Sequence, residues 1–256
     1  MDYTRRFGGI SRLYGNAALE RFSDSRIAVV GVGGVGSWAV EALARSGVGN
    51  LILFDMDHVA ESNINRQLPA LESEFGRAKV DVLSERVKQI NPDCSVKSVD
   101  IFIEEENQQE FIDPEFDYVI DCIDNYRNKA SLIAYCKLQK IPLITIGGAG
   151  GQKDPTKIRQ VDLSRSEQDP LLSKTRKLLR KKYNFPVNLK RRFDIPCVFS
   201  LEQQIISAEA SCSNAGENGQ SGLNCGGYGS AMMVTASFGL VAVSYVLNKL
   251  ADKQCA

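Results

Sequence analysis

The chain has 256 residues, 43% of them hydrophobic, and a formal net charge of zero. A neutral chain has no general attraction for nucleic acid or anionic membranes, so any such affinity requires a local basic patch. Its one histidine, His58, excludes mechanisms that need two imidazoles. The seven cysteines occur singly, with no C-x-x-C pair, which argues against a tetrathiolate zinc site. Their odd number and the absence of a signal-peptide pattern predict a reducing, cytoplasmic location.

The first predicted elements follow one another in the order helix, strand, helix, strand. The chain through Phe22 is predicted to be helical, and the apolar run from Arg26 to Val30 predicts the first strand. A helix is predicted from about Gly34 to Ser46, and a second strand from Asn50 to Asp55. This order is typical of a βαβ unit that begins a parallel sheet.

A glycine loop between the first strand and its helix predicts nucleotide binding. Glycines let the backbone approach phosphate, and the N-terminus of the following helix favours negative charge. Asp55 follows the last glycine by 19 residues, a spacing at which an acid can hold ribose hydroxyls. The alternative is a tight turn with a structural role only. The loop glycines are Gly31, Gly33, Gly34 and Gly36.

The alternation continues to residue 146 and predicts an α/β fold, a Rossmann-like, doubly wound and mostly parallel sheet with helices on both faces. The polar connection at 56–75 is long for a compact domain, and such connections are more often functional than not. The further predicted elements are a helix at 76–90, strands at 95–99 and 118–123, a helix at 127–140 and a strand at 142–146.

Residues 151–256 are predicted to form a smaller C-terminal extension of a nucleotide-binding domain at 1–150. The segment at 164–192 is polar and basic, and the segment at 207–229 is rich in Ser, Asn and Gly. An uncharged apolar helix at 229–247 approaches membrane-spanning length, although its small and hydroxyl residues also suit packing in a core or a dimer interface. Burial in protein is favoured, and membrane association stays open as the alternative.

Several short motifs in the first domain resemble the ubiquitin-activating-enzyme-like (E1-like) superfamily that includes ThiF, MoeB and HesA. A nicotinamide-binding redox protein is another class that the glycine loop permits, but it would leave the Asn-Arg-Gln and Gly-Arg-Ala-Lys motifs without a role. The motifs are Gly31–Ser37, Asp55–Asp57, Ser62–Gln67, Gly76–Lys79, Ile90–Pro92 and Asp121–Asp124.

Within that superfamily, the chain is most similar to the branch of tRNA-modifying dehydratases. The similarity covers nearly the whole chain, and the paired C-x-x-C zinc ligands usual in the MoeB and ThiF branches are absent from it. The stretches that carry the similarity are Arg6–Gly9, Arg12–Gly15, Ala134–Cys136, Gly147–Gln152, Asp154–Pro155, Gln168–Pro170, Cys197–Ser200, Cys225–Gly227 and Met233–Thr235.

The resemblance implies an activity and its partners. Residues 1–150 would bind ATP and Mg²⁺, with no zinc, and residues 151–256 would bind tRNA and contribute to a homodimer. The enzyme would adenylate the carboxylate of N6-threonylcarbamoyladenosine at position 37 of tRNA and close it to a cyclic hydantoin, a net loss of water. The alternative is adenylation of the C-terminus of a ubiquitin-like sulfur carrier. A cysteine desulfurase is a candidate sulfur-transfer partner.

The resemblance also assigns site residues. Arg66, Lys79 and Asp121 would be catalytic, and Asp121 would bind the metal. Arg66 could instead form a surface salt bridge, Lys79 could be a solvated helix lysine, and Asp124 could cap a helix. In this superfamily an arginine of the partner subunit reaches the site, and Arg12 is the candidate. Besides the glycines, the nucleotide-binding set is Arg12, Asp55, Asp57, Asn63, Arg66, Gln67, Lys79, Asp121 and Asp124.

Cys225 is the remaining candidate catalytic residue. It precedes two glycines and a predicted helix, in a loop where a thiol would be accessible, and helix N-termini lower thiol pKa values. A structural thiol is the alternative. Cys197 and Cys122 lie in apolar runs and are predicted to be buried, and His58 is predicted to lie at the surface.

One segment without acids concentrates positive charge and predicts a patch for the phosphate backbone of tRNA. Tyr183 and Phe185 lie within it, and aromatic rings can stack on unpaired bases. A solvated helix face is the alternative. The basic residues are Lys174, Arg176, Lys177, Arg180, Lys181, Lys182, Lys190, Arg191 and Arg192.

Overall fold

The structure is a computed structural model that describes residues 2–205 and 228–252. It begins with two helices, α1 (Tyr3–Tyr14) and α2 (Asn16–Asp24), which are joined at Gly15. The φ angle of Gly15 is 89°, a left-handed value that glycine adopts without a steric cost and that ends the first helix. The prediction of a helical segment through Phe22 is confirmed, with this one break.

The first half of the sheet forms where the apolar runs predict it. Its elements are β1 (Arg26–Val30), α3 (Gly36–Arg45), β2 (Asn50–Phe54), α4 (Lys79–Ile90) and β3 (Ser95–Val99). The polar connection between β2 and α4 contains two short 3-10 turns, Glu61–Asn63 and Glu72–Glu74. This connection therefore places its side chains beside the end of β2 rather than in a further strand.

The second half adds four strands and four helices within the described residues. They are α5 (Gln108–Phe111), β4 (Tyr118–Asp121), α6 (Tyr126–Gln139), β5 (Leu143–Ile146), β6 (Ile158–Asp162), α7 (Pro170–Lys182), β7 (Pro196–Ser200) and α8 (Met232–Ala251). Two further 3-10 turns lie at Pro155–Lys157 and Leu163–Arg165. Six of the nine basic residues of the predicted patch thus lie in α7.

All seven strands belong to one sheet with the order β3-β2-β1-β4-β5-β7-β6. Every neighbouring pair is parallel except β6 and β7, which are antiparallel. The chain adds β2 and β3 on one side of β1 and later strands on the other, so the strand order reverses between β1 and β4. Ligands of such sheets bind at the carboxyl ends of the strands at this point. The predicted doubly wound, mostly parallel α/β fold is confirmed.

The core has two layers, one on each face of the sheet. Along β1, Ile27 and Val29 pack in one layer, with α3, α4 and α8, whereas Ala28 and Val30 pack in the other, with α6 and α7. Because side chains alternate across a strand, an apolar run that contributes to both layers is the pattern of a central parallel strand. Both layers cover β1, which holds its carboxyl end in a fixed place.

Helix α8 lies in the first layer. Of the described residues, it forms the one helix long and apolar enough to cross a membrane by length and composition alone. Val234, Phe238, Val246 and Leu250 are nevertheless buried against the rest of the protein. This packing favours the interpretation of α8 as a core helix.

Replacing Gly239 of α8 by alanine is expected to destabilise the protein by about 1–3 kcal/mol, the usual cost of an added methyl group in a packed core. A Cβ there would lie 2.7 Å from the carbonyl oxygen of Val35 and 3.0 Å from the backbone nitrogen of Ala39, and α3 would have to move. Gly9→Ala is the matched control, because nothing lies within 4 Å of its Cβ position in α1. Urea unfolding should show a loss for Gly239→Ala and none for Gly9→Ala.

Candidate active site

The loop between β1 and α3 is closed so tightly that two of its glycines have no substitute. Gly31 has a φ of 85° and donates its N–H to the carbonyl of Phe54, 2.8 Å away. A Cβ on Gly36 would lie 1.9 Å from the carbonyl oxygen of Gly31. Among residues 2–205 and 228–252, no side chain caps the N-terminus of α3. The first N–H groups of a helix lack intrahelical partners and attract anions, so this end can receive a phosphate.

Arg66 and Gln67 lie beside the other two glycines of the loop. A Cβ on Gly34 would be 3.4 Å from Cγ of Arg66, and one on Gly33 would be 3.8 Å from Nε2 of Gln67. Gln67 is 5% exposed, and its buried Oε1 has no hydrogen-bond partner in the described part of the chain. Buried amide oxygens normally have a donor, so this atom marks a place where a ligand or water donor belongs.

Arg66 carries a charge that no acid neutralises among the described residues. Its Nη1 donates to the carbonyl of Ser62 at 2.6 Å and to Oδ1 of Asn65 at 2.9 Å. Partial burial lowers the pKa of the guanidinium, which still remains charged at neutral pH because its ordinary pKa is so high. Trp38 donates its Nε1–H to the carbonyl of Arg66 at 3.0 Å and holds the backbone in place.

Asp55 connects the end of β2 to the glycine loop. One carboxylate oxygen accepts the N–H of Val32 at 2.7 Å, and the other accepts the N–H of Asp57 at 2.9 Å. Burial raises the pKa of Asp55, while Lys79 and these two N–H groups oppose the rise. A carboxylate oxygen has a further lone pair for a ribose hydroxyl, so the predicted contact with ribose is compatible with these bonds.

Lys79 and Asp57 form an ion pair at the start of α4. Nζ of Lys79 lies 2.8 Å from Oδ2 of Asp57, and the side chains are 4% and 54% exposed, respectively. The alternative of a solvated helix lysine is therefore wrong. Asn63 is also buried, and its Oδ1 accepts the N–H of Ala60 at 3.2 Å. Lys79 is a buried cation at the same edge of the sheet as the glycine loop.

Asp121 does not fit the metal-ligand role expected for it. Its side chain is fully buried, and Oδ2 accepts hydrogen bonds from Lys129 at 2.8 Å and from Thr145 at 2.6 Å. Oδ1 accepts the N–H of Ile123 at 3.0 Å. Oδ2 thus has two protein donors and Oδ1 has one, and because the side chain is fully buried, neither oxygen is exposed to a cation.

Asp124, three residues further along, is the exposed carboxylate of the same loop. The alternative that it caps a helix is wrong, because Asn125 caps α6 by accepting the N–H groups of Arg127 and Asn128. Among the described residues Asp124 has no hydrogen-bond or ion-pair partner, so its oxygens are open at the carboxyl end of β4, beside β1. An open carboxylate of this kind suits Mg²⁺, which binds few protein oxygens and several from phosphate and water.

Comparison with known proteins bears out the expectation from the motifs. The profile of the ThiF family matches residues 3–254. This chain belongs to the ThiF family. It is 54% identical over 255 residues to the tRNA threonylcarbamoyladenosine dehydratase of Haemophilus influenzae, covering 99% of this chain and 96% of that protein. It is 48% identical to the Escherichia coli enzyme of the same name, covering 98% and 95% of the two chains.

The fold of this ThiF-family chain is also similar to solved structures. One is the E. coli tRNA N6-threonylcarbamoyladenosine dehydratase, TcdA, in complex with ATP, with a TM-score of 0.87 and 47% identity. The similarity covers 96% of this chain and 94% of that one. The likeness therefore includes the C-terminal part of the chain as well as the nucleotide-binding half.

The basic segment of this ThiF-family chain divides into inward and outward side chains. Arg176 is half-buried and bonds to Ser166, and burial lowers its pKa. Arg180 packs over Phe193, its guanidinium carbon 5.0 Å from the ring centre, and these two arginines therefore support the fold rather than the surface. Lys182 pairs with Glu105, and Arg192 lies 3.8 Å from Asp162. The exposed remainder is Lys174, Lys177, Lys181, Lys190 and Arg191.

Phe185 cannot stack on a base, contrary to the expectation for the basic segment. It is 6% exposed and packs edge-on against Phe193 in the second core layer. Tyr183 is half-buried. Another aromatic ring does lie beside the segment, because the Nζ of Lys174 is 5.9 Å from the ring centre of Tyr126.

The other predicted residues fall in different places. Arg12 is exposed on α1, and Cys225 lies outside the described residues. Cys197 is buried as predicted, whereas Cys122 is half-buried, and burial raises the pKa of both thiols far above neutral pH. His58 is exposed as predicted.

Sequence reasoning missed the residues that hold the candidate site in place. Trp38 had a signal, since it is the one tryptophan and directly follows the glycine motif. Thr235, whose Oγ1 lies 3.4 Å from the carbonyl oxygen of Arg66, belongs to a stretch that carries the family similarity, but no local pattern links it to a residue 169 positions away. The same holds for the bond of 2.8 Å from Asn65 to the carbonyl of Ser230.

Proposed function

We propose that this chain catalyses the ATP-dependent dehydration of N6-threonylcarbamoyladenosine at position 37 of tRNA to its cyclic hydantoin form. The observation that carries the proposal is the sequence similarity to two dehydratases, which extends over 96% of the length of one and 95% of the other. It includes the C-terminal part of this chain. The geometry around Gly31 supports it, because a tight glycine loop, an uncapped helix N-terminus and two cations suit a triphosphate.

The reaction needs no nucleophile from the protein. The threonine carboxylate of the substrate attacks the α-phosphorus of ATP, a bond to phosphorus forms, and pyrophosphate leaves. The carbamoyl nitrogen attached to the adenine ring then attacks the activated carbonyl carbon, loses its proton to solvent and expels AMP. The net change is the loss of one water from the nucleoside, driven by cleavage of ATP.

The protein's part is to bind charge and fix geometry. The N–H groups at the start of α3, Arg66 and Lys79 would stabilise the negative charge that shifts among the phosphates. Asp55 would hold the ribose. Asn63 and Gln67 would offer amide groups to the phosphates, and the unpartnered Oε1 of Gln67 is consistent with a ligand nearby. Catalysis would thus rest on donors that are already in place in the folded chain.

A magnesium ion would supply further positive charge to the phosphates. Asp124 is the residue that fits it, because its carboxylate is exposed at the loop after β4, whereas the oxygens of Asp121 are occupied by Ile123, Lys129 and Thr145. Asp57, which is 54% exposed and adjoins Lys79, faces solvent and can also approach the nucleotide.

The exposed lysines of α7 and the following loop would bind the tRNA backbone. Replacing Lys177 and Lys181 together by glutamate is expected to weaken tRNA binding and to remove about two phosphate contacts. Each contact contributes roughly 0.7–0.9 to the slope of the logarithm of the binding constant against the logarithm of salt concentration, so that slope should become shallower. Lys88 and Lys97 are exposed lysines outside this segment, and their double replacement by glutamate is the control. Filter binding at several salt concentrations measures both slopes, and equal slopes for the two variants would refute the patch.

A homodimer and a cytoplasmic location complete the proposal. Large apolar side chains are exposed at Leu13 on α1, at Ile64 in the connection between β2 and α4, and at Met233 and Leu240 on α8. Such residues suit a surface that a second copy covers, and Arg12 would then reach the partner's site. A cysteine desulfurase as sulfur-transfer partner rests on the resemblance and on Cys225 alone.

Mass analysis of tRNA nucleosides tests the proposed function directly. Purified protein is incubated with ATP, Mg²⁺ and tRNA that carries the modified adenosine, and the nucleosides are then separated. We expect a product lighter by the mass of one water, with AMP and pyrophosphate formed in equal amounts. A sulfur-carrier protein replaces the tRNA in a parallel reaction, and pyrophosphate release with the carrier alone would favour the alternative activity.

A further inference from the structure

A fully buried ion pair lies directly behind the candidate active site. Lys129 of α6 and Asp121 of β4 are each 0% exposed, and Nζ lies 2.8 Å from Oδ2. Thr145 of β5 joins them, because its Oγ1 donates to the same oxygen at 2.6 Å and accepts from Nζ at 3.2 Å. Nζ also lies 3.3 Å from the carbonyl oxygen of Asp121. The cluster thus connects two neighbouring strands, β4 and β5, with helix α6.

Stability alone does not account for this pair. Removing two charges from water is costly, and well-packed apolar residues of similar volume often give a fold that is as stable or more so. The surrounding layer already consists of apolar residues such as Leu132, Ile133 and Leu143. The pair also holds in place the loop that follows β4.

The carboxylate oxygen of Asp121 that does not contact Lys129 fixes the loop after β4. Oδ1 of Asp121 accepts the N–H of Ile123 at 3.0 Å, and the N–H of Cys122 bonds to the carbonyl of Val30 at 2.8 Å. The carbonyl oxygen of Cys122 would lie 3.1 Å from a Cβ on Gly31. The loop therefore packs against the first glycine of the phosphate loop, and its next residue is the exposed Asp124.

We propose that the Asp121–Lys129 pair is a positioning device that acts through the backbone of Ile123 to present Asp124 to the metal-bound triphosphate. Lys129 and Thr145 turn the carboxylate of Asp121 so that its second oxygen faces the loop. Neither residue touches the nucleotide. This inference rests on the proposed function for the identity of the nucleotide, but its consequence is a property of Mg²⁺-dependent ATP binding.

Two double variants separate anchoring of the loop from removal of the charges. Asp121→Leu with Lys129→Met removes both charges and the acceptor of the Ile123 N–H. Asp121→Asn with Lys129→Met removes the same charges but keeps an oxygen for that N–H. The Mg²⁺ concentration that half-saturates ATP binding is measured by calorimetry without tRNA. We expect it to rise about 10–100-fold in the leucine variant, the range for a lost partner behind a metal ligand, and to change only slightly in the asparagine variant.

Equal half-saturating Mg²⁺ concentrations in the two variants would overturn the proposal. If the leucine variant does not fold, Thr145→Val takes its place, because it removes one donor to Asp121 and no charge. A rise in the Mg²⁺ requirement is expected there too, and a value equal to that of wild type would overturn the proposal. Wild-type protein that binds ATP with Mg²⁺ but leaves the tRNA nucleoside unchanged would refute the proposed function only, since this comparison uses binding alone.

Discussion

Arg66→Ala is expected to lower ATP-dependent cyclisation by about 10²–10³-fold, as the loss of one donor to a charged transition state typically does. The aliphatic part of the side chain lies beside Gly34, and among the described residues the guanidinium bonds to oxygens without a formal charge, those of Ser62 and Asn65. In the interpretation of Arg66 as a surface salt bridge, an acid would be present, and none is paired with it among the described residues. A cation held this way has its charge available for a ligand.

The measurement is AMP formation with modified tRNA at saturating ATP. Arg159→Ala is the control, because this exposed arginine of β6 bonds, within the described residues, to the backbone carbonyls of Thr156 and Ile158 alone. Arg66→Lys is a further comparison, since an ammonium group keeps the charge but loses the planar set of donors. Thermal unfolding of each variant separates a loss of fold from a loss of rate. An Arg66→Ala enzyme within a few-fold of wild type would rule out the assigned role.

The central strands were predictable because their signals are local. β1 has the predicted bounds, since its apolar run lies between Ser25 and the positive-φ Gly31. The strand β3 at one edge of the sheet also has its predicted bounds, whereas the strand β6 at the other edge was not predictable in the same way. β6 reads Ile-Arg-Gln-Val-Asp, which contains only two apolar residues, and it becomes a strand through antiparallel pairing with β7. Such pairing depends on a partner more than 30 residues away, which no local pattern reveals.

Helix α7 shows how charge can mask an amphipathic pattern. Its buried residues are Leu171, Leu172, Thr175 and Leu179, spaced as one face of a helix, and Asp169 caps its N-terminus. In the sequence, the high density of lysine and arginine hides this apolar face and indicates a binding surface instead. Once the inner face is known, Arg176 and Arg180 fall between the two faces, which explains why they pack inward and the lysines do not.

The motifs that form the candidate site were predictable from the sequence. Which acid of the Asp121–Asp124 motif suits the metal was not. Asp121 and Asp124 stand three residues apart in the same motif, and both are acids near the end of β4. The buried partners Lys129 and Thr145 decide between them, because they occupy the oxygens of Asp121. Lys129 gave no signal in the sequence, where a lysine in a helix is normally solvated.

Lys79 poses a question that a second double variant can answer. Its Nζ lies 2.8 Å from Oδ2 of Asp57. Its charge also acts on the carboxylate of Asp55, where it opposes the rise in pKa that burial causes. A lysine in this place could serve only to neutralise these two acids. Alternatively, its charge acts on the phosphates, and Asp57 holds the ammonium in position until ATP is bound. The two roles predict different rates of AMP formation when Lys79 and Asp57 both lose their charges.

Lys79→Met is expected to lower AMP formation by about 10²–10³-fold, because the phosphates lose a buried cation in a site of low dielectric. Asp57→Asn with Lys79→Met should be as slow as the single variant if Lys79 acts on the phosphates. Recovery of the rate in the double variant would instead show that Lys79 only balances Asp57. Folding should survive both changes, since methionine replaces the buried lysine chain with an apolar one and Asp57, which is 54% exposed, stays in contact with water. The measured rates of these two variants therefore separate a ligand for ATP from a local counter-ion.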